Sequence, residues 1–246
     1  MSILAVIPAA GKGSRLKINK PKIMVKIGSH LIIDILMQKL LGLVDKIIFV
    51  VNPKYKKLVY NYLKKKYHNQ ISFDIISQNS PKGMSHAIFQ TKAIWKKYDK
   101  ILFMWGDQVG VTRETINKLI RVKLYKKSFA LPLVKKNKLY VEYCIKKNKL
   151  KKILETREGD ICSDNGYCDT GVFLFNNFNL TKFFLDFYKN QLLGKITKEK
   201  NFLQFMVYLS KKNWSLKYFV TKKKLESIGI NTKSEINFFK KLYDKN

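Results

Sequence analysis

Two cations and two glycines share one short stretch, Ala9-Ala10-Gly11-Lys12-Gly13-Ser14-Arg15, and a further cation, Lys22, follows Pro21. Small residues let a ligand approach the backbone, and glycines permit the turns that point successive N–H groups into one concavity. Such a concavity binds anions, phosphates above all. Arg15 can fork onto phosphate oxygens, and Lys22 can add a point charge from the far end of the loop. The simpler reading, a strand-to-helix turn with solvated cations, is outweighed by the combination of small residues, Arg15 and Pro21-Lys22. Two familiar phosphate loops do not fit. The P-loop spacing is missing, and Leu16 stands where the dinucleotide fingerprint needs a third small residue.

Two further clusters carry chemistry. Gln78-Asn79-Ser80-Pro81-Lys82-Gly83-Met84-Ser85-His86-Ala87 joins an amide side chain to a glycine and a helix start. Gln78 offers a donor and an acceptor, as the edge of a pyrimidine requires, and Gly83 lets a base lie against the backbone. As a plain loop, the same segment has Ser80-Pro81 and Gly83 as turn formers and Ser85 as a cap. His86 at the helix start reads as packing and hydrogen bonding. Asp107 ends the apolar run Ile101–Trp105 after Gly106. Open α/β sheets bind ligands outside the carboxyl ends of their strands, although aspartate also caps turns.

Together these stretches resemble the sugar-nucleotide pyrophosphorylases, the NTP-transferase family with a GT-A-like fold. Its signature, apolar-Ala-Ala-Gly-x-Gly-Thr/Ser-Arg-apolar followed by Pro-Lys, is matched through Arg15, Leu16, Pro21 and Lys22. The resemblance implies nucleotide binding by Ala9, Ala10, Gly11, Gly13, Ser14, Gln78 and Gly83, and catalytic roles for Arg15 and Lys22. It implies Mg²⁺ on Asp107, with Asn231 of Gly229-Ile230-Asn231-Thr232 as second ligand. It places the acceptor on Glu155 and on Asp169-Thr170-Gly171, where the family carries Asn-Thr-Gly. Glu155 has a second reading, as an exposed acid paired with Arg157. Met84 and Ser85 depart from the family pattern in the base segment, as do Tyr140-Val141 and Asn201 in the acceptor half. Val109 stands where an Asp-x-Asp glycosyltransferase would carry its second acid, which favours nucleotidyl transfer.

The expected reaction joins an NMP group from an NTP, pyrimidine favoured, to a phosphorylated small molecule such as a sugar 1-phosphate. The competing reading is a basic RNA- or polyanion-binding module. Its support is a net charge of +32, from 49 basic and 17 acidic residues. Only four of the basic residues are arginines, which specific nucleic-acid readers use most, and the lysines are scattered. Three cysteines form no even framework and lack zinc spacing, in keeping with a reducing cytoplasm. No apolar run is long enough for a membrane span, and the N-terminus lacks the features of a signal peptide.

Periodicity predicts an α/β fold with a mixed, mostly parallel sheet flanked by helices, and the resemblance implies that this is a Rossmann-like GT-A-type nucleotidyltransferase fold. Strands are expected at 3–8, 46–51, 71–76 and 101–105, alternating with helices at 31–43, 55–67 and 83–97. Shorter strands are expected at 128–134, 139–145, 150–155, 172–175 and 216–220, with helices at 180–190, 201–210 and 234–242. The whole chain, 1–246, reads as one domain, with a nucleotide-binding half over about 1–110 and an acceptor-binding half over about 111–246.

Overall fold

The computed structural model describes residues 1–11 and 19–244. Strand β1 (Ile3–Pro8) is buried at every position, because the sheet is covered on both faces. Its side chains alternate between two cores. Ile3, Ala5 and Ile7 enter one, and Leu4 and Val6 the other. After the hairpin β2 (Lys26–Ile27) and β3 (His30–Leu31) comes helix α1 (Ile32–Leu40), then β4 (Lys46–Val51), α2 (Lys56–Tyr67) and β5 (Ser72–Ser77). The expected helix at 83–97 is two short helices, α3 (Met84–Phe89) and α4 (Lys92–Trp95). Between them the Thr91 hydroxyl donates to the Ile88 carbonyl and accepts from the Trp95 indole, a local bond that competes with the helical ladder.

Beyond β6 (Lys100–Met104) lies a helix that the periodicity did not predict, α5 (Arg113–Ile120), capped by Thr112, whose side chain accepts from the Thr115 N–H. The second half runs β7 (Ser128–Asn137), the hairpin β8 (Val141–Lys146) and β9 (Lys149–Glu155), β10 (Asn165–Asp169) and β11 (Val172–Asn176). It closes with α6 (Leu180–Asn190), α7 (Leu203–Lys211), β12 (Ser215–Thr221) and α8 (Lys233–Tyr243). β10 was also unpredicted, since Asn-Gly-Tyr-Cys-Asp has neither alternation nor an apolar run.

One eight-stranded sheet runs through both halves in the order β10-β7-β11-β6-β1-β4-β5, with β12 paired to β7. The pairs β1–β4, β1–β6, β4–β5 and β7–β12 are parallel; β6–β11, β7–β11 and β7–β10 are antiparallel. One face carries α1 and α5 with an aliphatic core; the other carries an aromatic core that includes Phe103, Phe175, Phe184, Phe202 and Phe205. Strand direction then decides what meets what. β1, β4, β5 and β6 end at the same edge, and β11 begins there because it runs against β6, with Val172 opposite Met104. No helix among the described residues is long and apolar enough to cross a membrane.

Candidate functional site

The loop after β1 leaves the sheet at this edge. Ala9 donates to the Val50 carbonyl, Ala10 is buried, and Gly11 is exposed with open space where a Cβ would stand. Gly13, Ser14 and Arg15 lie outside the described residues. Lys22 opens a short 3-10 turn after Pro21, anchored by buried Ile23. Its ammonium donates to Asp107 Oδ2 at 3.1 Å and to Asn231 Oδ1 at 3.0 Å.

Asp107 reaches this point because the chain turns sharply after β6. Gly106 donates to the Pro8 carbonyl, and a Cβ on it would come 2.9 Å from that oxygen, so only glycine fits against the first loop. Asn231 is brought in by the bond from the Ile230 N–H to the Asp107 carbonyl, 2.9 Å. The next residue, Thr232, starts α8 with a capping box, its side chain and that of Glu235 satisfying each other's backbone N–H groups. Residues 107 and 231 thus meet on one cation, far apart though they are in sequence.

One carboxylate oxygen and one amide oxygen around a single cation are a hard-oxygen donor pair, which suits Mg²⁺ better than a softer metal. The described residues contain no cluster of three or more His, Cys, Asp or Glu that could hold a metal by themselves. Asp107 and Asn231 therefore fit the Mg²⁺ habit of taking one or two protein ligands and completing its shell with phosphates and water.

Of the residues expected at the acceptor, the 169–171 turn lies at the same edge. The Asp169 carboxylate accepts from the Gly171 N–H at 2.7 Å, and Gly171 accepts from the Trp105 N–H at 2.9 Å. Gly171 has φ +72, a left-handed turn that glycine adopts without strain. This ties the 169–171 turn to the strand that carries Asp107. Burial pushes the Asp169 carboxyl up to about 6, against the opposing pull of the Gly171 N–H and the Tyr143 hydroxyl. Thr170 is wholly buried.

Glu155 corrects one expectation. It is paired with Arg157 but is not exposed: only 1% of it is accessible. Arg157 Nε donates to Oε2 at 3.0 Å, while the amides of Asn201 and Gln204 donate to Oε1. Its own N–H donates to Asp160 Oδ2. Asn231 lines a cavity of about 390 Å³ together with Lys136, Tyr140, Gly229 and Phe238.

In the base segment, Gln78 is buried, and its amide donates to the Gly83 carbonyl at 3.2 Å and faces His86 Nδ1 at 3.0 Å. Burial, with Lys82 nearby, lowers the His86 pKa. Gly83 has φ +96, and a Cβ there would come 2.6 Å from the Lys200 carbonyl oxygen. The crossing of the Lys200 backbone is thus a reason for glycine that the sequence did not disclose. Lys200 and Gln204 had no sequence signal: one is a lysine among many, the other a polar position on an amphipathic helix. The basic hairpin residues Lys146, Lys147, Lys149 and Lys151 line an open cavity of their own and share no residue with this site.

A family model described as nucleotidyl transferase matches residues 4–191. The chain is 27% identical to the bifunctional protein GlmU of Buchnera aphidicola subsp. Schizaphis graminum over 99% of its own length and 51% of that protein's. It is also 27% identical to GlmU of Wigglesworthia glossinidia brevipalpis, over 98% of its length and 52% of that protein's. The chain therefore spans about half the length of these curated relatives. A UDP-glucose pyrophosphorylase complexed with UDP-glucose superposes with TM-score 0.76 at 14% identity, over 100% of this chain and 99% of that one. An inositol-1-phosphate CTP transferase from T. maritima does so with TM-score 0.74 at 16% identity, over 97% and 94%.

Proposed function

Because the chain belongs to the nucleotidyl transferase family, we propose that it moves an NMP group from a pyrimidine NTP to a sugar 1-phosphate, giving an NDP-sugar and pyrophosphate. The observation that carries this reading is the meeting of Lys22, Asp107 and Asn231 at the edge where the first loop and the 169–171 turn also lie. A phosphate oxygen of the acceptor attacks the α-phosphorus, and the bond from that phosphorus to the pyrophosphate oxygen breaks. The main obstacle is repulsion between two phosphates, so positioning and charge stabilisation do most of the work. Lys22, released from Asp107 and Asn231, holds the α-phosphate and the incoming phosphate together. Arg15 neutralises the departing pyrophosphate.

Asp107 and Asn231 would hold Mg²⁺, which supplies positive charge against the α-phosphate oxygens. Gln78 reads the base edge, with His86 fixing its amide. Asp169 faces the acceptor. A CTP transferase and a UDP-glucose pyrophosphorylase share the fold, in keeping with a pyrimidine nucleotide. The three cysteines are free, which suits the cytoplasm. The test is pyrophosphate release across a matrix of four NTPs and several phosphorylated acceptors with Mg²⁺. Release with UTP, CTP or dTTP and a sugar 1-phosphate is expected. No release from any pair, together with RNA binding that falls steeply with salt, would favour the polyanion-binding reading.

A further inference from the structure

Glu155 is already engaged by three of the protein's own side-chain donors. Asn201 and Gln204 serve Oε1, Arg157 serves Oε2, and the side chain is sealed from solvent. Because the side chain is buried, a sugar hydroxyl could reach this carboxylate only if the side chains around it moved aside, at a cost in broken buried hydrogen bonds.

The same contacts lead to the base segment. Asn201 is held from the other side, its Oδ1 accepting from the Leu203 N–H at the start of α7, 3.0 Å. Its neighbour Lys200 makes a two-bond ladder with the base loop: the Lys200 N–H donates to the Lys82 carbonyl at 2.9 Å, and the Ser85 N–H donates to the Lys200 carbonyl at 3.0 Å. Gly83, between those two rungs, has room only for hydrogen on the side facing Lys200. The Lys200 ammonium is tied down by the Tyr188 carbonyl at 2.7 Å, and the Tyr188 ring stacks on Phe89 at the end of α3.

We propose that residues 199–204 form a strap between Glu155 and the base loop, and that Glu155 and Asn201 are positioning residues for the nucleotide base instead of contacts for the acceptor. The proposal rests on the reading of Gln78–Gly83 as the base site. The carboxylate fixes Asn201, Asn201 fixes the backbone of Lys200, and Lys200 sets the conformation of Lys82–Ser85. Loosening the distant end should therefore be felt at the nucleotide.

The experiment is calorimetric titration of the full chain with whichever of the four NTPs binds tightest, which needs no turnover. KM for NTP and acceptor is then measured for the variants Glu155→Gln, Asn201→Asp and the double variant. Glu155→Gln can set an amide donor against the Asn201 amide, and Asn201→Asp sets two carboxylates against each other. Each should weaken NTP binding by roughly tenfold, with acceptor KM nearly unchanged. The double variant restores a donor opposite an acceptor and should recover most of that loss.

A rise in acceptor KM alone after Glu155→Gln would overturn the proposal, as would a double variant no better than the worse single one. Should the single variants fail to fold, hydrogen exchange on the wild type decides. Saturating NTP should slow exchange at the Lys200 and Ser85 amides, and unchanged rates there would overturn the strap. Absence of binding by all four NTPs to the wild type would remove the base-site reading and this proposal with it; a failure of the strap alone leaves wild-type NTP binding intact.

Discussion

Replacing Asp169 by asparagine should stabilise the protein at neutral pH and leave its stability in acid unchanged. The Asp169 carboxylate is half-buried, and burial raises its pKa from 3.8 to about 6. The folded state thus holds a proton that the unfolded chain releases near pH 4, so wild-type stability falls as pH climbs from about 4 to 6. Above that window the full penalty of the buried charge applies. Two units at about 1.4 kcal/mol each give about 3 kcal/mol, and residual solvent contact trims this to about 2–3 kcal/mol. Asparagine keeps the oxygen that accepts the Gly171 N–H and removes the charge, along with its repulsion from nearby Glu155. Urea unfolding of both proteins from pH 3.5 to 8 is the assay. The difference should be near zero below about pH 4 and reach its plateau above about pH 6, with a Tm gain of about 4–10 °C. A difference independent of pH, or a loss of stability at pH 7, would refute the argument that Asp169 is ionised at the expense of burial.

Lys22→Ala should lower kcat by about two orders of magnitude or more, the scale of losing one well-placed charge-stabilising group, with little change in urea midpoint. It should also tighten binding of Mn²⁺ without nucleotide, read by electron paramagnetic resonance, since the Lys22 ammonium competes for Asp107 and Asn231. Asp107→Ala should abolish pyrophosphate release, whereas Asn231→Asp should keep it and strengthen Mn²⁺ binding by adding charge. Lys39 is buried, donates to the Val109 carbonyl, and has its pKa pulled down to about 7 by burial. The unfolded chain keeps that proton up to about 10.5, so the wild type gains stability between pH 7 and 10. Lys39→Met should add stability at pH 7 and flatten that rise in a pH series of thermal melts, because Tyr243 still donates to the Val109 carbonyl.

The strands β1, β4 and β6 could be read from the chain alone because a strand buried on both faces must be apolar at every position, and nothing else in a short run looks like that. Asp107 was legible for the same reason: an acid that ends such a run is conspicuous. Asn231 was legible only through its resemblance to a motif, since Gly-Ile-Asn-Thr has no periodicity of its own. The break between α3 and α4 was hidden because it depends on where the Thr91 hydroxyl turns, towards Ile88 and Trp95 or towards solvent. β10 was hidden because its pairing with β7 supplies the hydrogen bonds that its composition does not advertise. Sequence determined which side chains are available for the proposed binding of phosphate and metal, and roughly which strand ends present them. Tertiary structure alone decided that β11 runs against β6, so that the 169–171 turn lies beside Asp107, and that Glu155 faces Asn201 instead of solvent. Those contacts join residues distant in sequence, and their energies depend on burial and partner geometry, which no local pattern of residues encodes.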